Sequence, residues 1–222
     1  VITENTTQMI VLPTPVNFSG HIYDAGGIPL RSQDIKLTLT TAPFTVVEGQ
    51  TNSSGFYSIN VLPGTYSVNL RAGFIHDQRG ASVQAPDDFN ITVPSYTLSQ
   101  NTVLDMTLPA KLATVHVQDV AGNTIPNAGV RASLSGGFIQ NIELAPGFIA
   151  TGTYGYSTSS YTGTDGNALL WLFSNSSGTS YTFNVLPNAP FANTTLSNIQ
   201  VTDNILQTVT LSSPVTLSGH VY

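Results

Sequence analysis

Apolar and polar residues alternate with a period of two along much of the chain, the pattern of strands with one face buried. Phe18, Gly20 and Ile22 alternate with Asn17, Ser19 and His21, and Ile35, Leu37 and Leu39 with Lys36, Thr38 and Thr40. Phe56-Tyr57-Ser58-Ile59 and Tyr66-Ser67-Val68 flank Leu62-Pro63-Gly64-Thr65, in which Pro and Gly set the turn dihedrals. Turn residues recur at the short intervals of a β-sandwich, and no stretch combines a helix-start signal with an apolar period of 3.6. Strand is expected throughout, and helix is not.

The pattern also repeats on a longer scale. Pro15-Val16-Asn17-Phe18-Ser19-Gly20-His21-Ile22-Tyr23 returns as Pro214-Val215-Thr216-Leu217-Ser218-Gly219-His220-Val221-Tyr222, with a weaker copy at Ala113-Thr114-Val115-His116-Val117-Gln118-Asp119. The middle copy, like the first, leads into a Gly turn and then Ile-Pro. Before each copy lies a short apolar or Thr-rich segment, Gln8 to Pro13, Val103 to Pro109 and Gln207 to Leu211, which reads as a closing strand. A spacing of roughly 100 residues implies two complete modules, expected at 14–110 and 111–213. Residues 1–13 then read as the closing or donor strand of a preceding module, and 214–222 as the opening strand of a following one. Gln8, Met9, Ile10, Val11 and Leu12, with Val215, Leu217 and Val221, are the positions expected to pair with neighbouring subunits.

Composition narrows the function. Charged residues are 8% of the 222, against about 25% in an ordinary soluble domain, so the polar surface is mostly Ser, Thr and Asn. Six Lys and Arg in a chain of net charge −6 cannot form the cationic stripe that nucleic acid requires. The chain has no Cys, hence no disulfide or thiolate site, and no apolar run near the ~18 residues of a bilayer span. The absence of a starting Met and of a charged-then-apolar leader suggests a processed or trimmed product. So few ionisable groups imply a stability that varies little with pH, which points to a hot or acidic habitat such as an archaeon's.

Gly20-x-Ile22-x-Asp24-x-x-Gly27-x-Pro29, followed by Ile35 and Leu37, Thr51-Asn52-Ser53-Ser54-Gly55-Phe56-Tyr57-Ser58-Ile59 and Leu62-Pro63-Gly64-Thr65-Tyr66-Ser67-Val68, resembles the carboxypeptidase regulatory-like domain. That family is similar to the stalk modules of bacterial adhesins and pilins. The second module matches less fully, through Asp119, Gly122, Ile125 to Val130, Thr164-Asp165-Gly166-Asn167 and Ser180-Tyr181-Thr182-Phe183. It departs at the turn Ser176 to Tyr181 and carries a Gly, Ser and Tyr-rich stretch over 136–163. The resemblance implies an all-β chain of tandem Greek-key β-sandwich (prealbumin/Ig-like) domains in an extracellular, cell-surface setting, and it implies no reaction. In pilin-type stalks a first-strand Lys bonds covalently to an Asn or Asp of the last strand beside a buried acid. By that resemblance Lys111, in phase with Ala113, Val115 and Val117, would join Asn204 or Asn198 with Glu143 assisting. The competing reading is a lysine at a strand entrance, its stem over apolar surface and its ammonium in water.

No catalytic, cofactor or metal site is expected. The chain lacks H-E-x-x-H, G-x-S-x-G and phosphate-cradling Gly loops. His21, His116 and His220 hold one place on successive first strands, facing outward and far apart. His76 beside Asp77, Asp87-Asp88, and Asp165-Gly166-Asn167 lack the ligand spacing of a metal loop and read as turn chemistry. N-x-[ST] sequons stand at Asn5, Asn17, Asn52, Asn90, Asn175 and Asn193, where sugars would help an uncharged surface stay soluble. Tyr154, Tyr156 and Tyr161 lie in the long loop and suit a sugar or a protein neighbour, while Trp171, between Leu170 and Leu172, reads as core. The reading that follows is an extracellular structural protein, a stalk or filament of end-to-end modules joined to copies of itself by donor-strand addition and carrying surface glycans. The alternative is a secreted carbohydrate- or protein-binding module accessory to a larger enzyme or receptor.

Overall fold

The alternating stretches at 17–22, 35–39, 56–59 and 66–68 become strand, whereas 218–220, the described part of the last copy, lies in no strand, and the strands sort into four sheets. In the first, β4 (Phe56–Val61), β1 (Val16–Tyr23) and β7 (Thr102–Val103) lie side by side, and β8 (Met106–Thr107) also pairs with β1. The second has the order β11 (Ile139–Ala145), β12 (Phe148–Thr153), β6 (Asn90–Leu98), β5 (Gly64–Arg71), β2 (Asp34–Leu39), β3 (Val46–Gln50). The third is β14 (Asn167–Phe173), β9 (Ala110–Asp119), β17 (Ile205–Leu211), and the fourth β13 (Thr158–Tyr161), β10 (Gly129–Ser135), β15 (Ser180–Leu186), β16 (Thr194–Ile199). This computed structural model describes residues 13–72, 83–135, 139–153, 158–175, 178–212 and 218–220, and among them there is no helix. Gln8, Met9, Ile10, Val11, Leu12, Val215, Leu217 and Val221 lie outside the described residues, as do Asn5, His76, Tyr154 and Tyr156.

Each sandwich closes by laying its last strand parallel to its first. β17 does so without a break, from Ile205 opposite Ala113 to Leu211 opposite Asp119. The first module interrupts the same strand between β7 and β8: Leu104 N donates to Ser19 O at 2.7 Å, and Asp105 Oδ1 accepts from His21 N at 2.7 Å. Gly20 sits under this break, where a Cβ would collide with the Leu104 carbonyl oxygen. That collision is the reason the motif carries glycine there. Inside, Phe18, Ile22, Leu37, Tyr57, Val68 and Leu70 of the first module and Val115, Val117, Val130, Leu170 and Phe183 of the second belong to a single cluster of buried side chains.

The modules match bond for bond at the turn after their first strand. Asp24 Oδ1 accepts from Gly26 N and Ile28 N at 2.9 and 2.7 Å, and Asp119 Oδ1 from Ala121 N and Asn123 N at 2.8 and 2.9 Å. Leu30 N then donates to Ile22 O and Ile125 N to Val117 O. The counterpart of Ile125 is therefore Leu30, so the repeated Ile-Pro is a coincidence of composition two residues out of register. A buried threonine follows in both. Thr51 Oγ1 accepts from Gln33 N and donates to Leu30 O at 2.8 and 2.7 Å, and Thr162 Oγ1 accepts from Ala128 N and donates to Ile125 O at the same two distances.

Trp171 corrects the expectation from its neighbours. On β14 the inward positions are Ala168, Leu170 and Leu172, so Trp171 shares the outer face with Asn167 and exposed Leu169 and is only half-buried. Flanking leucines on a strand point the opposite way.

Candidate functional site

The arrangement that sets this chain apart is the junction between its modules. β11 and β12 arise in the connection from β10 to β13 of the second module, yet β12 pairs antiparallel with β6 of the first, Thr151 opposite Thr92, Gly152 opposite Ile91 and Thr153 opposite Asn90. One module thus lends two strands to its neighbour's sheet. The stretch read from sequence as a Tyr-rich loop over 136–163 is in part this hairpin. Its turn is Ala145-Pro146-Gly147, and Ile139, Ile142, Leu144, Phe148 and Ala150 are its buried face. Gly152 permits the approach, because a Cβ there would strike Ile91 Cγ2 and lie 3.1 Å from Asn90 O.

Aromatic rings carry packing across the same boundary. Tyr57 and Phe18 lie with ring centres 5.1 Å apart, Phe18 and Tyr96 6.0 Å, and Tyr96 meets Phe148 of the hairpin edge-on at 4.9 Å. A second contact joins Phe89, just before β6, to Phe173 at the end of β14, 5.9 Å apart and T-shaped, with both rings buried. Such edge-to-face pairs contribute about 0.5–1.5 kcal/mol beyond the area they bury. Between β8 and β9 the chain has only Leu108-Pro109, and Leu108 is buried with its N bonded to Tyr23 O at 2.9 Å.

The residues that the resemblance implies for a covalent cross-link occupy separate settings. Lys111 Nζ lies 3.6 Å from Asp203 Oδ1 at a partly exposed site, and Asn204 Oδ1 accepts from Leu112 N at 2.9 Å. Glu143 is exposed on β11, its carboxylate accepting from Gly147 N at 3.2 Å. Glu143 belongs to the solvent face of the hairpin and is not a buried acid. Asn198, on β16, is also exposed.

The sequons fall in unlike places. Asn52 stands exposed in the turn before β4, Asn193 before β16, and Asn90 at the start of β6, where its Oδ1 accepts from Asn69 Nδ2 at 2.6 Å. Asn17 on β1 donates its Nδ2 to Ser58 Oγ and Asn60 Oδ1, both at 2.9 Å. Asn175 is a correction: it is buried, its Nδ2 donates to Thr179 O and Gln200 Oε1 at 2.7 Å each, and its Oδ1 accepts from Val201 N. A sugar on that nitrogen is incompatible with this fold, since the whole amide is enclosed and leaves no path to solvent.

His21 Nδ1 faces Asp105 Oδ1 at 3.3 Å, with its ring against Tyr23 and Phe56, and His116 Nδ1 faces Asn167 Oδ1 at 2.9 Å. His220 lies in the described segment 218–220, and Asp87 and Asp88 are half-buried before β6. Among the described residues no three His, Asp or Glu side chains converge as a metal site would need, and no helix is long and apolar enough to cross a membrane. Asp119 is held below the usual carboxylate range, chiefly by the Asn123 side chain and backbone, and Asp165 likewise by the Asn167 backbone and side chain. Tyr57 is pushed upward by burial first and by the Asp105 charge second, its hydroxyl donating to Leu104 O at 2.7 Å.

No family model matches the chain, and no curated protein does. Among solved structures it is similar to the shaft pilin SpaA of Lactobacillus rhamnosus GG, at 16% identity over 92% of this chain and 100% of that one, with a TM-score of 0.41. It is also similar to a streptococcal ancillary pilin, at 11% identity over 90% of this chain and 62% of that one, with a TM-score of 0.35.

Proposed function

We propose that this chain is a structural segment of an extracellular stalk or filament, built from modules at 14–110 and 111–213 that are set end to end. The observation that supports the reading is the strand exchange at the junction. A hairpin of one module completes its neighbour's sheet, and buried rings and a two-residue linker leave no hinge. A rigid link between domains serves an object that must hold its length. The surface suits the same role, with uncharged polar residues that carry sugars at Asn5, Asn17, Asn52, Asn90 and Asn193. Residues 1–13 and 214–222 act as strands shared with adjoining subunits, satisfying sheet edges by strand addition. Electron microscopy of the native material at its cell surface tests the proposal. Thin filaments with an axial repeat are expected, and dispersed particles of single-chain size overturn it.

A further inference from the structure

Corresponding positions of the two modules differ in one respect that their shared fold does not explain. The pairs Val16 with Val61 and Lys111 with Leu172 occupy equal places in the two sheets, which makes Leu62 the counterpart of Phe173. The hydrogen bonds agree. The carbonyl of Leu62 accepts from the Tyr66 hydroxyl at 2.7 Å and that of Phe173 from the Tyr181 hydroxyl at 2.8 Å, with Tyr66 opposite Leu39 and Tyr181 opposite Leu134. Phe173 is 1% exposed because the first module's Phe89 covers it, whereas Leu62 is 49% exposed.

The neighbouring connection shows the same contrast. Between β10 and β13 the second module carries the hairpin that grips the first module's sheet, and between β2 and β3 the first module has only a short tip. That tip presents Phe44, 62% exposed, and Val46, 46% exposed. Phe44 is held at a φ of +54°, in the left-handed region that a bulky side chain enters only at a cost. Thr40 N and Oγ1 both donate to Thr65 O at 2.9 Å, tying the tip to the turn that carries Leu62. Three exposed apolar side chains therefore lie at the end of the first module where the chain enters β1, Leu62 at the counterpart of Phe173 and the other two in the connection that carries the hairpin in the second module.

We propose that Phe44, Val46 and Leu62 form a docking surface for the far end of the second module in another copy of this chain, so that copies stack head to tail. The inference rests on the filament reading above. A second copy is the occupant because the same end of the second module is already seated on a module of this fold within the chain. The receiving end holds the β9–β10 loop, where Val120 is 65% exposed, and the connection after β15 with half-buried Phe191. The two surfaces differ, so the contact is heterologous and propagates instead of closing as a dimer. None of the five side chains carries charge, which makes the contact insensitive to salt. Lacking the hairpin, it is weaker than the junction inside the chain.

Sedimentation velocity over a concentration series tests this with the wild-type chain, Leu62→Asp and Val120→Asp, both exposed sites, with melting curves as a control for folding. Leu62→Asn and Phe44→Ser serve if the aspartate at 62 alters the melt. The wild type is expected to grow beyond dimers with concentration, and each variant alone to associate about tenfold or more weakly. An equal mixture of Leu62→Asp and Val120→Asp retains one intact surface of each kind and is expected to stop at dimers. Growth unaffected by either variant overturns the docking surface while filaments seen in the native material leave the functional reading standing. A wild type that stays monomeric overturns the docking surface, and microscopy without filaments removes the functional reading as well.

Discussion

One hydroxyl position recurs as a fastener. Thr51 and Thr162 each join an N–H and a C=O of the loop after the first strand, and valine has the same shape without either bond. Thr51→Val leaves Gln33 N and Leu30 O unpaired and is expected to cost about 1–3 kcal/mol in urea denaturation, and Thr162→Val about as much in its own module. The titrating residues set the pH response. Asp119 and Asp165, lowered by their asparagine neighbours, favour the folded state above the usual carboxylate range and lose that contribution as pH falls through their lowered values. Asp165 is exposed and Asp119 only partly covered, so the melting temperature is expected to stay nearly flat from pH 7 to about 5 and to decline only in stronger acid. Tyr57 acts in the other direction. Its raised value favours the fold below the ordinary tyrosine range near 10, a contribution lost as pH climbs past it. Tyr57→Phe is expected to flatten that alkaline loss in a melting series and to cost about 0.5–1.5 kcal/mol at neutral pH, through the bond to Leu104. Asp24 and Gly27 were legible as a turn because the signal is local. Trp171 was not, because on a strand burial follows the alternation and not the leucines on either side.

The hairpin β11–β12 is the element on which the modules' union depends. Gly152→Val drives a branched side chain into Ile91, and it is expected to lift β12 from β6. Amide hydrogen exchange would then quicken about tenfold or more at Asn90 to Thr92 while β5 and β2 keep their protection. Unchanged exchange would show that the hairpin tolerates the clash. The hairpin itself can be read from Ile142 and Leu144, Phe148 and Ala150 around Ala145-Pro146-Gly147. Its destination cannot, since no feature of 139–153 specifies Asn90 to Thr92 as partner, and pairing between strands so far apart in sequence is a property of the folded chain. The same nonlocality governs Glu143, which the hairpin carries to solvent on its outer face.

At the scale of the molecule the buried side chains form one cluster spanning both modules, so thermal unfolding is expected as a single transition. Phe173→Ala opens the seam at Phe89, costs about 3–5 kcal/mol and is expected to split the calorimetric peak in two. A further consequence lies in how the sheets close. First and last strands run side by side in the same direction, β1 with β7 and β8, β9 with β17. Tension applied to the ends of a module therefore shears all the hydrogen bonds between those strands together, where a peeled hairpin would surrender them one by one. The second module resists along seven residues of β17, but the first has only the two short pieces on either side of Leu104 and Asp105. Stretched between optical traps, the chain is expected to yield in its first module at the lower force and to hold in its second until the pull is raised.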